Sequence, residues 1–171
     1  MDIYQLIAAA AQQGGVSGTP SGPDSYYSYD TGTENDDWEQ GYLLGGGSVT
    51  FGGSYVTINA SPTSGKPPAT GEAAMTTADK IDLTDYATIT VTYSYANTGS
   101  GTFAICLDDT NKAVTYTSYD YRATQTPLTG GSTLQIDVSS VTGEYYIRVH
   151  VRPVSSKETL IIYVDSVYIE V

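Results

Sequence analysis

Ala87-Thr88-Ile89-Thr90-Val91-Thr92-Tyr93-Ser94-Tyr95 decides the fold. Apolar or aromatic side chains take every odd position and hydroxyl side chains every even one. That period of two belongs to a strand with one buried face and one wet face. A helix would scatter both classes around its circumference. The alternation continues outward in both directions. Upstream, 48–51 and 54–60 flank Gly52-Gly53, a two-residue hairpin signal. That turn sets Phe51 opposite Ser54 and Val49 opposite Val56, with Val49, Phe51, Val56 and Ile58 on one face. Downstream, Phe103, Ile105 and Leu107 precede a turn at Asp108-Asp109-Thr110-Asn111, Val114 and Tyr116 open a further strand, and Leu134, Ile136 and Val138 form another. Tyr145, Ile147, Val149 and Val151 alternate with Tyr146, Arg148, His150 and Arg152. Leu160, Ile162 and Val164 keep even parity, after which Val167, Ile169 and Val171 are odd. A parity change at Asp165-Ser166 is what a β-bulge produces. About eight or nine antiparallel strands predict an all-β sandwich, most simply a jelly roll.

Composition agrees. The chain has 171 residues, enough for one ordinary domain. Leu, Ile, Val and Phe make up about a fifth of it, near the level below which no core forms. Sixteen Tyr and one Trp supply the missing apolar area. Seven Lys and Arg against nineteen Asp and Glu leave a net charge of -12, which repels nucleic-acid phosphates and anionic membrane surfaces alike. No apolar run reaches the length of a membrane span. The N-terminus carries Asp2 and no Lys or Arg, and does not read as a secretory signal. The sequon Asn59-Ala60-Ser61 is therefore a chance match. Cys106, the single cysteine, excludes internal disulfides, and its place between Ile105 and Leu107 reads as a buried structural thiol.

The leader differs from the rest, since every basic residue lies at or after Lys66. Residues 2–12 predict one short helix: Asp2 caps it, Gln5 stands where a capping box needs it, and Gly14-Gly15 ends it. Ile3, Leu6, Ile7 and Ala10 form its apolar stripe. Three turns are marginal in water alone. The Gly-rich tether that follows suits either a peg docked on a partner or a loosely packed terminus. The expected organisation is residues 1–23 as attachment helix and tether, 24–47 as an acidic aromatic lead-in that enters the globular part near Trp38, and 48–171 as the sandwich.

Two segments carry a resemblance. Lys80-Ile81-Asp82-Leu83-Thr84-Asp85-Tyr86 leads into the strand at 87–95, and Leu134-Gln135-Ile136-Asp137-Val138-Ser139-Ser140-Val141-Thr142-Gly143-Glu144-Tyr145-Tyr146-Ile147 comes later. Over roughly residues 38–171 this order resembles the jelly-roll modules, similar to galactose-binding and carbohydrate-binding domains, of bacteriophage tail, fibre and other virion proteins. The resemblance implies a non-enzymatic structural protein, made in the bacterial cytoplasm and displayed on the virion surface. Its N-terminal helix would attach it to other virion proteins and to copies of itself, with a homotrimer expected by analogy. The alternative is a carbohydrate-binding adhesin module for host-surface glycans.

Candidate chemistry is sparse. His150, the only histidine, lies in the stripe Tyr146, Arg148, His150, Arg152, which reads as a solvated face able to hold an anionic sugar or a partner carboxylate. No nucleophile elbow accompanies it, so no catalytic residue is expected. Asp36/Asp37 and Asp108/Asp109 are adjacent on loops and do not supply the facing pair that a glycosidase needs. No cofactor is expected, and calcium is the one metal such a fold invites, without a dedicated loop in this chain. Aromatics are the better clue, because sugars stack on Trp and Tyr faces. Trp38 and Tyr42, and separately Tyr116, Tyr119 and Tyr121 with Asp120 and Arg122, are the candidate glycan platform.

Overall fold

A computed structural model describes residues 38–52, 55–63, 70–95, 100–125 and 132–171, together with the backbone of 24–28. The predicted helix over 2–12 and its tether lie outside the described residues. Those residues form twelve strands and no helix: β1 (Asp24–Ser28), β2 (Trp38–Leu44), β3 (Ser48–Gly52), β4 (Tyr55–Ala60), β5 (Glu72–Thr77), β6 (Ile81–Asp82), β7 (Thr88–Tyr95), β8 (Gly101–Asp108), β9 (Tyr121–Gln125), β10 (Ser132–Asp137), β11 (Glu144–Pro153) and β12 (Leu160–Glu170). They build two antiparallel sheets packed as a jelly-roll sandwich. Sheet A runs β10-β7-β12-β4-β3, with β1 on β12, and sheet B runs β2-β5-β11-β8-β9, with β6 on β11.

The alternation read at 87–95 is the inner face of sheet A. Ile89, Val91 and Tyr93 are buried, while Thr92 and Ser94 are partly exposed. Along β12 the pairing with β7 shifts between Val164 and Ser166. This is the bulge that the parity change predicts, and it keeps Leu160, Ile162, Val164, Val167 and Ile169 all in the core. The β3–β4 hairpin differs from expectation: Phe51 pairs with Val56 rather than Ser54, Val49 with Ile58, and Gly52 with Tyr55. A shift of two preserves parity, so the same four side chains still face the core.

The two segments that carry the family resemblance are neighbours. Ile81 pairs with Tyr145 and Asp82 with Glu144. Asp82 Oδ1 accepts the Thr84 amide and hydroxyl at 3.0 and 2.6 Å, and Thr84 Oγ1 accepts the Gly143 amide at 3.1 Å. Gly143, at φ 96°, makes the turn that closes this corner.

Three expectations need correction. The sandwich does not begin at residue 48, because β2 is an edge strand of sheet B and Trp38 is 4% exposed within the core. Val114 and Tyr116 open no strand, and lie in the excursion between β8 and β9. The stripe of Arg148 and His150 is not solvated, since both residues are fully buried. β5, with the sequence Glu72-Ala73-Ala74-Met75-Thr76-Thr77, escaped a sequence reading because it is buried on both faces and so shows no alternation.

Trp38→Ala removes a large core side chain from an edge strand. The expected loss is about 3–5 kcal/mol in urea unfolding. A loss below about 1 kcal/mol would place Trp38 outside the cooperative core.

Candidate functional site

On the outer face of sheet B, β11 presents Arg148, His150 and Arg152. Beside them in register lie Thr76 and Ala74 of β5, and Cys106, Ala104 and Thr102 of β8. The small neighbours leave room for a covering layer. The excursion 109–120 supplies it by packing Tyr116 on Ala104 and Cys106 as a second, smaller apolar cluster. Burial there pushes the Cys106 thiol up to about 11, which suits a packing residue and not a nucleophile.

Arg148 fastens that layer. Its Nη1 donates to Val114 O at 2.7 Å, Nη2 donates to Ser118 O, and the same Nη2 faces Asp108 Oδ2 at 3.6 Å. Asp108 turns the chain at the start of the excursion, where Oδ1 accepts the amides of Thr110 (3.0 Å) and Asn111 (2.8 Å). Burial raises its carboxyl pKa, but these bonds and the Arg148 charge outweigh that and hold it below its ordinary value. Asp108, Asp109 and Asp120 bring carboxylate oxygens within 4.8 Å of one another. The Asp109 amide donates to Asp120 Oδ2 at 2.8 Å, and the Asp120 amide to Leu107 O at 2.8 Å, so closure of the connection accounts for the grouping.

Glu72 is the second buried hub. Its Oε2 accepts the Tyr116 amide at 3.1 Å, Arg152 Nε lies 3.2 Å from Oε1, and His150 Nε2 faces Oε2 at 3.5 Å. Burial raises the Glu72 carboxyl pKa; the His150 contact, the Tyr116 amide and Arg152 together outweigh it, so the group stays ionised. Burial likewise lowers His150 more than Glu72 raises it, and the imidazole is neutral. Gly71 explains why Glu72 can sit here: a Cβ on it would fall 1.9 Å from Ser61 O, so only glycine lets the chain enter β5 at this point.

Above these hubs an aromatic row crosses the sheet. A bulge between Gln40 and Leu43 re-aims β2, and the Tyr42 ring lies 6.2 Å from that of His150. Tyr116 stands edge-on to His150 at 5.5 Å. The Arg122 guanidinium on β9 lies 4.7 Å from the Tyr116 ring and 4.2 Å from that of Tyr119, and Arg152 approaches Tyr116 at 5.6 Å. The sequence-predicted platform is thus divided. Tyr42, Tyr116, Tyr119 and Arg122 come together. Trp38 does not, because it precedes the bulge that re-aims Tyr42 and stays on the core face of β2. Tyr121 does not either: it pairs with Leu107, on the opposite face from Arg122, and packs edge-on against Tyr145 at 5.8 Å. Ile3, Leu6, Ile7 and Ala10 lie outside the described residues. Sequence reasoning missed Glu72, whose only signal was an acid opening an apolar run after Gly71.

No protein-family model and no curated protein matches the sequence. Solved structures do. A family 11 carbohydrate-binding module from Clostridium thermocellum, in complex with a β-1,3-1,4-mixed-linked tetrasaccharide, matches with TM-score 0.51 and 13% identity over 88% of this chain and 96% of that one. The family 11 module of the Clostridium thermocellum cellulosomal cellulase Lic26A-Cel5E matches with TM-score 0.52 and 14% identity over 88% and 95%. These likenesses establish a carbohydrate-binding-module-like jelly roll. The enzymatically active domain of tailspike protein 4 from bacteriophage CBA120 gives TM-score 0.44 and 15% identity over 78% of this chain and 19% of that one, too distant to argue from.

Two outcomes test the buried hubs. Arg148→Leu leaves Asp108 buried without its counter-charge and the Val114 and Ser118 carbonyls without their donor. It should cost about 3–5 kcal/mol and speed amide exchange across 109–120 before the rest of the sandwich. Acid should weaken the fold in two stages. A folded His150 titrating below its ordinary 6.5 takes up a proton later than the unfolded chain does. Its contribution is therefore complete above about pH 6.5 and declines as the pH falls toward the folded value. Glu72 and Asp108, also held low, add a second loss below about pH 4.5, as the pH falls through their folded values. In urea midpoints measured against pH, His150→Phe should abolish the upper stage and leave the part of the lower one that Asp108 carries.

Proposed function

We propose that this domain is a non-catalytic carbohydrate-binding module that takes an oligosaccharide across the outer face of sheet B. One observation carries the reading: Tyr42, Tyr116, Arg122 and Tyr119 gather on one face between β2 and β9, on a fold shared with modules of which one was solved with a tetrasaccharide. Sheet B from β2 to β9 is five strands wide, roughly 19 Å at about 4.8 Å per strand, room for a short oligosaccharide rather than one sugar. Tyr119 is 38% exposed and Tyr42 half-buried, so both reach solvent, Tyr119 with one ring face taken by Arg122 and the other left for stacking.

A binding role suits the carboxylates too. A glycosidase needs one acid that can be protonated and a second facing it across a cleft. Glu72 is held ionised and engaged by three partners, and Asp108 is committed to its turn and to Arg148. The expected role as a displayed virion component, attached through residues 2–12, is a separate proposal that a glycan-binding head would serve. Nothing among the described residues adds to it.

The test is a glycan microarray followed by titration calorimetry on the best ligand. Tyr42→Ala and Tyr119→Ala should each weaken binding by about tenfold, or ~1.4 kcal/mol, with little change in melting temperature. An array without signal, or unaltered affinity in both variants, would overturn the reading.

A further inference from the structure

The basic residues on this face are spent unequally. Arg148 gives its guanidinium to two carbonyls and Asp108, and Arg152 gives its Nε to Glu72. Arg122 is spent on no described partner of opposite charge. Among the described residues it has no carboxylate within 4.0 Å and no hydrogen-bond acceptor, only the Tyr116 and Tyr119 rings at 4.7 and 4.2 Å. Ring contact steadies a guanidinium through its π face and leaves the in-plane N–H fork unused. A planar fork with free donors, half-buried and held in place, fits a carboxylate bidentately.

Charge on the row points the same way. Glu72 and Arg152 cancel and His150 is neutral, so Arg122 leaves the row with one positive charge in a chain whose net charge is -12. Placing the unspent cation between stacking rings couples the two kinds of recognition: a sugar ring lies on Tyr119 while its acid group meets Arg122. We infer that the preferred ligand is an acidic glycan, whose uronic- or sialic-type carboxylate is gripped by Arg122. This rests on the carbohydrate-binding reading and narrows it to a ligand class.

Matched pairs test it: tetragalacturonate against its carboxyl-reduced galactotetraose, and 3'-sialyllactose against lactose, each titrated into the full chain. The acidic member of at least one pair should bind about tenfold more tightly than its neutral partner, with a preference that shrinks as salt rises. Arg122→Gln should erase that difference, so that the acidic and neutral members of a pair bind alike within the variant, with the melting temperature kept. Arg122→Lys, which keeps the charge and loses the fork, should retain only part of the preference. Equal or tighter binding of both neutral members would overturn this inference and leave the glycan reading standing. An acid preference unchanged in Arg122→Gln would overturn the assignment to this residue. No binding of any of the four, with an array devoid of signal, would overturn both readings.

Discussion

The Arg148 guanidinium, fully withdrawn from water, is the constraint on which the working face depends. Burying a charge costs several kcal/mol unless its donors are met, and here both terminal nitrogens are met by carbonyls of the very segment that covers it, while Nε is left without an acceptor. The arrangement is mutual. The excursion between β8 and β9 has no strand or helix to hold its shape, and it gains one from the fork beneath it. The fork in turn is shielded only while the excursion stays down. Fixing the excursion sets Tyr116 on Ala104 and Cys106, Tyr116 sends its amide to Glu72, and Glu72 orders Arg152 and His150. Tyr116, and through Glu72 the side chains of Arg152 and His150, therefore trace back to one buried cation.

That chain of dependence explains which parts of the structure could be read from sequence. Sheet A was legible because its outer face meets water, so β7 and β12 alternate cleanly and even the bulge near Ser166 announces itself as a change of parity. The β3–β4 register was displaced by two and still gave the right core face, since parity survives such a slip. Sheet B was legible only on its inner face. Arg148 and His150 have the side chains of a wet stripe, and nothing local reveals that residues 109–120 fold back over them. β5 carries no alternation because both of its faces are covered. Trp38 and Tyr42 looked like one aromatic group, but the bulge between Gln40 and Leu43 lies between them and they part to opposite faces.

The two outer faces of the sandwich also differ in kind. On sheet A, Gln135 donates to Thr90 at 3.0 Å and Thr90 to Glu170 at 3.2 Å, a cross-strand ladder whose polar groups satisfy one another. Tyr55 and Tyr163 pack there with centroids 4.3 Å apart, tilted by 42°. Cross-strand pairs and ladders of this kind stabilise a sheet. On sheet B the buried charges Arg148 and Glu72 are engaged by the covering segment, and nearer the surface lie Tyr42, Tyr119 and the Arg122 guanidinium, which among the described residues has only ring contacts.

Such a division lowers the cost of recognition. Ordering a long side chain on binding costs about 0.5–1.5 kcal/mol, which is subtracted from whatever the contact gains. Arg122 is the longest side chain in the row, and two tyrosine rings hold its guanidinium in place before any ligand arrives. Tyr116 is itself fixed by its amide bond to Glu72 and by its seat on the sheet. The ordering is thus met by the folding of 109–120 and not by the ligand. Anything that releases the excursion should therefore weaken recognition through loss of preorganisation, even where every residue of the row is unchanged.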